Sequence, residues 1–464
     1  MKRALIGAVA GCVVLGGVLV LTPSGQRKAP PPAPGPEARA ATAVGAGVPA
    51  ALPDLVALIG DRETHLRAHP RDERSWAVLG TAYVEQARRT AVPAYYPKAE
   101  QALRTSLKVR PKGNVEALDG LAALANTRGD FAAGRKWAEA AAQAAPKRWT
   151  TYSLLIDSYT GLGDYKATRR ALDKLLDLHS GSTVLARAAG VYRDRGWRED
   201  AAAALTDATA LARTPAEQAA CLEQAGQLAW ERGDREESLQ HYEAALRTDP
   251  DEHGALAGQG RALAALGRTS EALRAYRAAL DRQPEPRYAL ELGELYESLG
   301  LGGAARAQYD LLRARVREEA AGGVNGDLVL GTFEADHGDP ATAVRLLRGE
   351  WRRQPGVAVA DALGWALHRA GEDEEALGFA AKAMDREHGG GVRSALYAYH
   401  RGVIERDLDR GGPARRHLTE ALRINPYFSP LFVPVAKSAL DSLGEPAAEG
   451  PAEPTAAPGS PGAR

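Results

Sequence analysis

A glycine followed by a turn-forming or helix-opening residue recurs through this chain at nearly constant intervals, and that regularity limits the fold more than any other feature. The copies are Gly129-Asp130-Phe131, Gly163-Asp164-Tyr165, Gly196-Trp197, Gly233-Asp234, Gly267-Arg268, Gly300-Leu301, Gly338-Asp339 and Gly371-Glu372. Subtracting consecutive glycine numbers gives spacings of 34, 33, 37, 34, 33, 38 and 33. A period of this size marks one supersecondary unit repeated and stacked. Each glycine ends one amphipathic run and precedes another, so it reads as the residue just past a helix, where the chain turns back into an antiparallel partner.

The period also says how the length is used. A chain of 464 residues would divide into about three domains at roughly 150 residues each. A solenoid instead absorbs any length, because each unit touches only its neighbours. Of the residues, 45% are hydrophobic, much of that alanine, and only 6% are aromatic. Alanine is the strongest helix former, and its small side chain lets helices approach closely. The pattern predicts an all-α fold whose core is built one layer at a time.

The residues around the glycines repeat in register. Leu256…Gly260…Gly267…Ala272…Tyr276…Ala279-Leu280…Pro284 is repeated by Leu222…Gly226…Gly233…Tyr242…Ala245-Leu246…Pro250. Further copies are Tyr152…Tyr159…Gly163…Tyr165…Leu172, Leu292-Gly293…Tyr296…Gly300…Ala305…Tyr309, Leu363-Gly364…Gly371…Ala376…Ala383 and Gly402…Ala414…Leu418…Ala421-Leu422…Pro426. Small residues let the first helix of a unit approach the second, large Leu and Tyr fill the groove between units, and proline stops the second helix.

These residues resemble the tetratricopeptide repeat family, from about Pro53 to Leu443, around five sixths of the chain. The resemblance implies a right-handed superhelical solenoid of about ten helix-turn-helix units over residues 52–443. In the first unit, Trp76…Leu79-Gly80…Tyr83, the partner helix Ala99…Leu103…Pro111 starts about seven residues late, with Pro93 and Pro97 between, which predicts a lengthened turn. Units near Leu185–Leu211 and Asp327–Pro355 are degenerate, and with the spacings of 37 and 38 they predict longer loops and places where the superhelix is open to a break. The stretch Leu431–Leu443 reads as a capping helix over the last unit.

The N-terminus reads as an address. Lys2 and Arg3 precede an uncharged apolar run, Ala4–Leu21, ended by Pro23, Ser24 and Gly25. Its 18 residues nearly span a hydrocarbon core of about 30 Å, so residues 1–25 are expected to be an uncleaved membrane anchor. Cleavage near Thr22-Pro23-Ser24 is the signal-peptide alternative, giving a secreted protein. Lipidation at Cys12, in the lipobox-like Val9-Ala10-Gly11-Cys12, is disfavoured because the chain stays apolar to Leu21. Each route places the body outside the cytoplasm. Residues 26–51, rich in Pro and Ala, are expected to be a disordered linker, and residues 444–464 a disordered tail.

Little in the chain suggests catalysis. No phosphate loop, serine elbow, zinc signature or dinucleotide fingerprint is present, so neither enzyme activity nor a metal or cofactor is expected. Cys12 and Cys221 offer no disulfide framework. Lys+Arg and Asp+Glu both number 59, and zero net charge argues against broad nucleic-acid binding. His65 and His69 share a helix face but lack the glutamate of a zinc-protease motif, and Glu334–Asp339 sits where other units turn.

What the resemblance implies is binding of protein or peptide partners on a concave face lined by the first helix of each unit. The matching positions are Asp119, Asn126, Asp157, Arg193, Glu223, Gln227, Trp230, Arg261, Glu294, Glu297, Trp365, His368, Tyr399 and Arg406. The Lys and Asn pair with which some relatives clamp a C-terminal carboxylate is absent at the matching places. The expected function is a non-enzymatic scaffold of the cell envelope. A glycan- or solute-binding accessory component of an export or uptake system, stacking sugars on Trp230, Trp365 and Tyr399, is the alternative.

Overall fold

The computed structural model describes residues 33–385 and 391–444, and among these it contains helices and no strands. Two compact units divide the chain at Gly35/Pro36. Of the first, the described residues 33–35 have no regular structure. The second carries every described helix. It opens with α1 (Pro36–Ala46), α2 (Leu52–Ala68), α3 (Glu73–Thr90), α4 (Tyr95–Val109), α5 (Val115–Thr127), α6 (Phe131–Ala144), α7 (Trp149–Gly161) and α8 (Tyr165–Leu178). There follow α9 (Ser182–Asp194), α10 (Arg198–Leu211), α11 (Pro215–Arg232), α12 (Arg235–Thr248), α13 (His253–Ala265), α14 (Thr269–Arg282), α15 (Pro286–Ser298) and α16 (Gly302–Ala321). The chain closes with α17 (Asp327–His337), α18 (Pro340–Arg353), α19 (Val357–Arg369), α20 (Asp373–Ala383), α21 (Ala395–Asp407), α22 (Gly411–Ile424) and α23 (Phe432–Ser442). From α3 to α22 they pack as ten hairpins, preceded by the α1/α2 pair and closed by α23. The fold is an all-α helical repeat solenoid.

At the hairpin turns the recurrent glycines end one helix, and at three of them an aspartate caps the next. Seven of the eight recurrent glycines have positive φ, Gly163 at +72° and Gly267 at +75° among them, while Gly338 does not. At the first of these turns, Gly129 N donates to Asn126 O at 3.0 Å and Asp130 N to Ala125 O at 2.9 Å, closing the helix-ending motif in which both bonds reach back. The aspartate then caps the next helix. Asp130, Asp164 and Asp339 accept from the backbone N of Ala133, Ala167 and Thr342 at 3.0, 2.9 and 3.0 Å. Such caps contribute about 1 kcal/mol each. Glu334 belongs to this work too, accepting from Asp339 N at 3.0 Å.

Between hairpins, tyrosines of the second helices fill grooves floored by glycine. A Cβ at Gly226 or Gly258 would lie 2.7 or 2.2 Å from the Tyr242 ring, and one at Gly293 would lie 2.3 Å from that of Tyr309. Tyr242 is 1% exposed. The α23 helix covers the final hairpin, with Ala436 and Ala439 buried against the cluster that holds Val403, Ile404 and Leu418.

Several expectations need correction. The spacer expected over 26–51 contains α1, whose Ala40 and Ala43 pack with Ala50, Leu55, Leu58 and Ala82. An alanine-rich segment opened by Pro36 needs no large side chain to dock, because small faces pack at short range. The late partner helix of the first unit reflects a longer helix rather than a longer turn: α3 has 18 residues, against 13 in α13. The spacings of 37 and 38 have the same origin, since α11 has 18 residues and α16 has 20. An added helical turn bonds its own backbone groups, whereas an inserted loop leaves them to find partners. Both degenerate units form regular hairpins, α9/α10 and α17/α18, without a break. Residues 1–32 and 445–464 lie outside the described residues, and with them the anchor, most of the spacer before α1 and nearly all of the expected tail.

The solenoid coils back upon itself. Asn325 N donates to Arg128 O at 2.8 Å, Val357 N to Tyr165 Oη at 3.0 Å, and Asn425 Nδ2 to Trp230 O at 2.7 Å. Arg198 reaches Arg393 O, and Arg235 lies 4.2 Å over the Tyr427 ring. In each case a turn inside one hairpin meets the linker after a hairpin further on. The separations of 192 and 195 residues correspond to about six units of the repeat period. At the start of this seam, Arg89 is buried between Asp249 at 3.3 Å and Glu252 at 3.4 Å, and Arg315 Nη2 donates to Ala91 O at 2.8 Å.

Candidate functional site: the lumen of the coil

Coiling forms a cavity of about 1190 Å³ that is partly open to solvent. Its wall is built from the first helices of successive units: Arg193 on α9, Glu223, Gln227 and Trp230 on α11, Arg261 on α13, Glu291 and Glu294 on α15, Thr332 and Asp336 on α17, and His400 on α21. Phe428 and Phe432 complete it. Those helices are presented inward because their glycine and alanine faces are spent against the second helices.

Arg261 organises one wall across three units. Its guanidinium pairs with Glu291 at 3.0 Å, donates through Nη1 to Gln227 Oε1 at 2.7 Å, and lies 5.7 Å from the Trp230 ring centre. Tyr276 Oη and Arg287 Nε also donate to Glu291, each at 3.0 Å. Burial pushes the Glu291 carboxyl up, but Arg261 and Arg287 together outweigh it and hold it below the usual range. On the same helix Glu294 is raised, chiefly by burial, although His337 opposes the shift from 3.6 Å. His337, which also meets Glu297 at 3.2 Å, is lowered by burial and raised by more through those carboxylates and Asp336.

Glu223 differs from the rest of the wall. Its carboxylate makes no hydrogen bond or ion pair with a described residue. Burial in the cavity wall, reinforced by the charge of Glu252, pushes it up to about 7 against the opposing charges of Arg261, Arg287 and Arg193. Those arginines are already committed, Arg193 to Asp194 at 2.9 Å and the other two to Glu291. Desolvation therefore prevails over attraction.

Six of the fourteen concave-face positions line this lumen: Arg193, Glu223, Gln227, Trp230, Arg261 and Glu294. The other eight do not. Asp119 is buried with Arg148 at 2.6 Å and Thr151 at 2.8 Å, and Asp157 pairs with Arg187. Asn126 Nδ2 donates to Leu154 O at 3.0 Å, and Glu297 accepts from Tyr309 Oη at 2.7 Å. His368 meets Asp373 at 2.6 Å, and Arg406 meets Asp407 at 2.6 Å. These side chains tie units together or brace their own turns.

The two remaining aromatics are part of the core. Trp365 is 4% exposed and Tyr399 2%. Trp365 Nε1 donates to Asp336 Oδ1 at 2.8 Å, its ring stacks on His400 at 4.2 Å, and Tyr399 stacks on Phe432 at 5.2 Å. Neither offers a face to a sugar, which removes two of the three stacking surfaces that the glycan reading needs.

Sequence reasoning missed Glu291, Tyr288, His400 and Phe432, all of which border the lumen. Glu291 precedes Glu294 by one helical turn and so shares its face, a signal legible in the spacing. His400 and Phe432 carried no such signal, since their approach depends on α23 folding back over α21.

Comparison with known proteins bears on the units that form this wall. Residues 223–273 and 257–320 match the sequence profile of the tetratricopeptide repeat. The units around the Arg261 network are of tetratricopeptide type. Tetratricopeptide repeats commonly mediate protein–protein interaction and are generally non-catalytic. No curated protein matches the chain. Similar solved structures include a tetratricopeptide repeat protein from Parabacteroides merdae, at 19% identity over 57% of this chain and 99% of that one, with a TM-score of 0.34. MamA matches at 20% identity over 36% and 97%, with a TM-score of 0.30. Cut9 with Hcn1, the APC/C hetero-tetramer, matches at 18% over 84% and 82%, with a TM-score of 0.32.

Proposed function

We propose that this protein is a non-catalytic scaffold that holds an extended segment of a partner protein in the lumen of its coil. The observation that carries the reading is the cavity itself. Its volume of about 1190 Å³ exceeds the roughly 300–1,000 Å³ of small-molecule pockets, and helices from successive units line it. A wall braced by the Arg261–Glu291 network orders little on binding, so less of the interaction is lost to entropy. Thr332 stands in the wall, and a bulky side chain there would obstruct the lumen. Peptides selected from a displayed random library should bind the protein saturably and lose binding to Thr332→Trp. A library that yields no saturable binder, or binders indifferent to Thr332→Trp, would refute the reading.

The proposed setting is the cell envelope, facing away from the cytoplasm, and it rests on the basic residues and apolar run at the N-terminus. No described helix is long and apolar enough to cross a membrane, and the run itself lies outside the described residues. Fractionating cells that express a C-terminally tagged chain, then treating spheroplasts with protease, tests this. A membrane-associated tag removed by external protease is expected. A protected tag in the soluble cytoplasmic fraction would overturn the placement.

A further inference from the structure

We propose that the lumen receives a cationic chain segment, whose lysine or arginine side chains are taken by wall carboxylates that pair with no lysine or arginine of the protein; this rests on the lumen being the binding site. Over the whole chain acidic and basic residues balance at 59 each, yet the lumen is lined by eight carboxylates and four arginines. Pairing sharpens the contrast. Among the described residues, Glu223, Glu231, Glu285 and Glu294 have no Lys or Arg within ion-pair distance, whereas Arg393 alone of the four arginines lacks a carboxylate.

A second observation, independent of the carboxylates, points to the same chemistry. His400 borders the lumen and is 4% exposed. Its Nδ1 donates to Asp361 at 3.0 Å, and Trp365 stacks on one face of the ring. That leaves Nε2, at the opposite corner, without a partner in the protein. In the neutral tautomer whose Nδ1 donates to Asp361, the imidazole presents Nε2 as an acceptor. The open valences of the wall therefore mostly accept, and an occupant that satisfies them must donate. Ammonium and guanidinium groups donate and carry the complementary charge. The rings of Phe428, Phe432 and Tyr288, which also face the lumen, would take the alkyl stems or cations of such side chains.

Glu223 supplies a handle on the proposal. The groups facing it are Glu252, Arg193, Arg261, Arg287, Tyr242 and Tyr288, and burial pushes its carboxyl up to about 7. A cation binds the ionised form, so affinity should fall as pH drops through 7. The test is fluorescence anisotropy of full-length protein with three labelled alternating peptides, Gly-Lys, Gly-Gln and Gly-Glu, of equal length and with blocked ends. The Gly-Lys peptide should bind about tenfold or more tightly than Gly-Gln, weaken with salt, and lose binding to Thr332→Trp. Glu223→Gln and Glu294→Gln should each weaken it by about three- to tenfold, and Glu223→Gln should reduce the loss near pH 7, leaving that of the other raised wall carboxylates, Glu294 and Glu285. If Gly-Gln or Gly-Glu binds as tightly and remains sensitive to Thr332→Trp, the cationic occupant is refuted while the lumen stands as the site. If none of the three binds but library-selected peptides do, the cationic proposal again falls alone. If the library also fails, the reading of the lumen falls with it.

Discussion

Replacing Gly163 by alanine, with Gly267→Ala as its partner, isolates the contact between successive turns of the coil. The two glycines hold the same place in their repeats and nearly the same backbone, φ +72° and +75°. Alanine in that left-handed conformation costs about 1–2 kcal/mol at either position. Their surroundings differ. A Cβ at Gly267 meets nothing within 4 Å, while one at Gly163 would stand 2.5 Å from Pro355 O and 3.2 Å from its carbonyl carbon. Those are backbone atoms of the α18–α19 linker, held in place by the bond from Val357 N to Tyr165 Oη at 3.0 Å. No rotamer relieves the clash, so the linker must shift, at about 1–3 kcal/mol for overpacking.

Gly267→Ala should therefore destabilise by about 1–2 kcal/mol and Gly163→Ala by about 2–5 kcal/mol. Urea titration followed by tryptophan fluorescence gives the difference. Hydrogen exchange at the Gly356 and Val357 amides reports whether the linker has moved off, and should show faster exchange in Gly163→Ala alone. Equal destabilisation of the two variants, with unchanged exchange at Gly356 and Val357, would mean that the turns do not touch in solution and would remove the lumen with them.

Two further predictions follow from buried titrating groups. The Glu223 carboxyl is raised from 4.5 to about 7, so the stability linked to its protonated form is present below pH 4.5 and lost as pH rises through 7. Glu223→Gln should match the native protein at pH 4.5 and exceed it by up to about 3 kcal/mol at pH 8; denaturant midpoints that show the same difference at both pH values would contradict this. His253, hydrogen-bonded to Tyr288 Oη at 2.9 Å, is pushed down to about 4 by burial and by Arg89 and Arg88. Its neutral form contributes stability above pH 6.5 that is lost as pH falls toward 4, so His253→Gln should flatten the native protein's loss across that window, roughly 3 kcal/mol at most, measured by thermal melts from pH 7 to 4.

The site was only partly legible beforehand. Arg193, Glu223, Gln227, Trp230, Arg261 and Glu294 were found because the tetratricopeptide resemblance implies a concave face on the first helix of each unit, and the repeat period places the matching positions. The same face held Asp119, Asp157 and His368, which the structure turns to pairing between units and within turns. Periodicity locates a face but does not say whether the next unit or the lumen lies against a given residue. Trp365 shows the limit: the resemblance marks it as concave, and it is buried under α21 and α23, stacked on His400 and edge-on to Phe432.

The amino-acid sequence by itself determined the helices, their hairpin turns and the period. Those features are closed by hydrogen bonds that span five residues or fewer, such as Asp130 N to Ala125 O, and by glycine's access to positive φ. Only the tertiary structure decided that the coil meets itself after about six units and that a lumen lies within it. That outcome is the sum of small rotations between neighbouring units. Helices lengthened by a turn, such as α11 and α16, alter those rotations without disturbing the local pattern. Contacts such as Asn425 with Trp230, 195 residues apart, exist only once every rotation between them has been made.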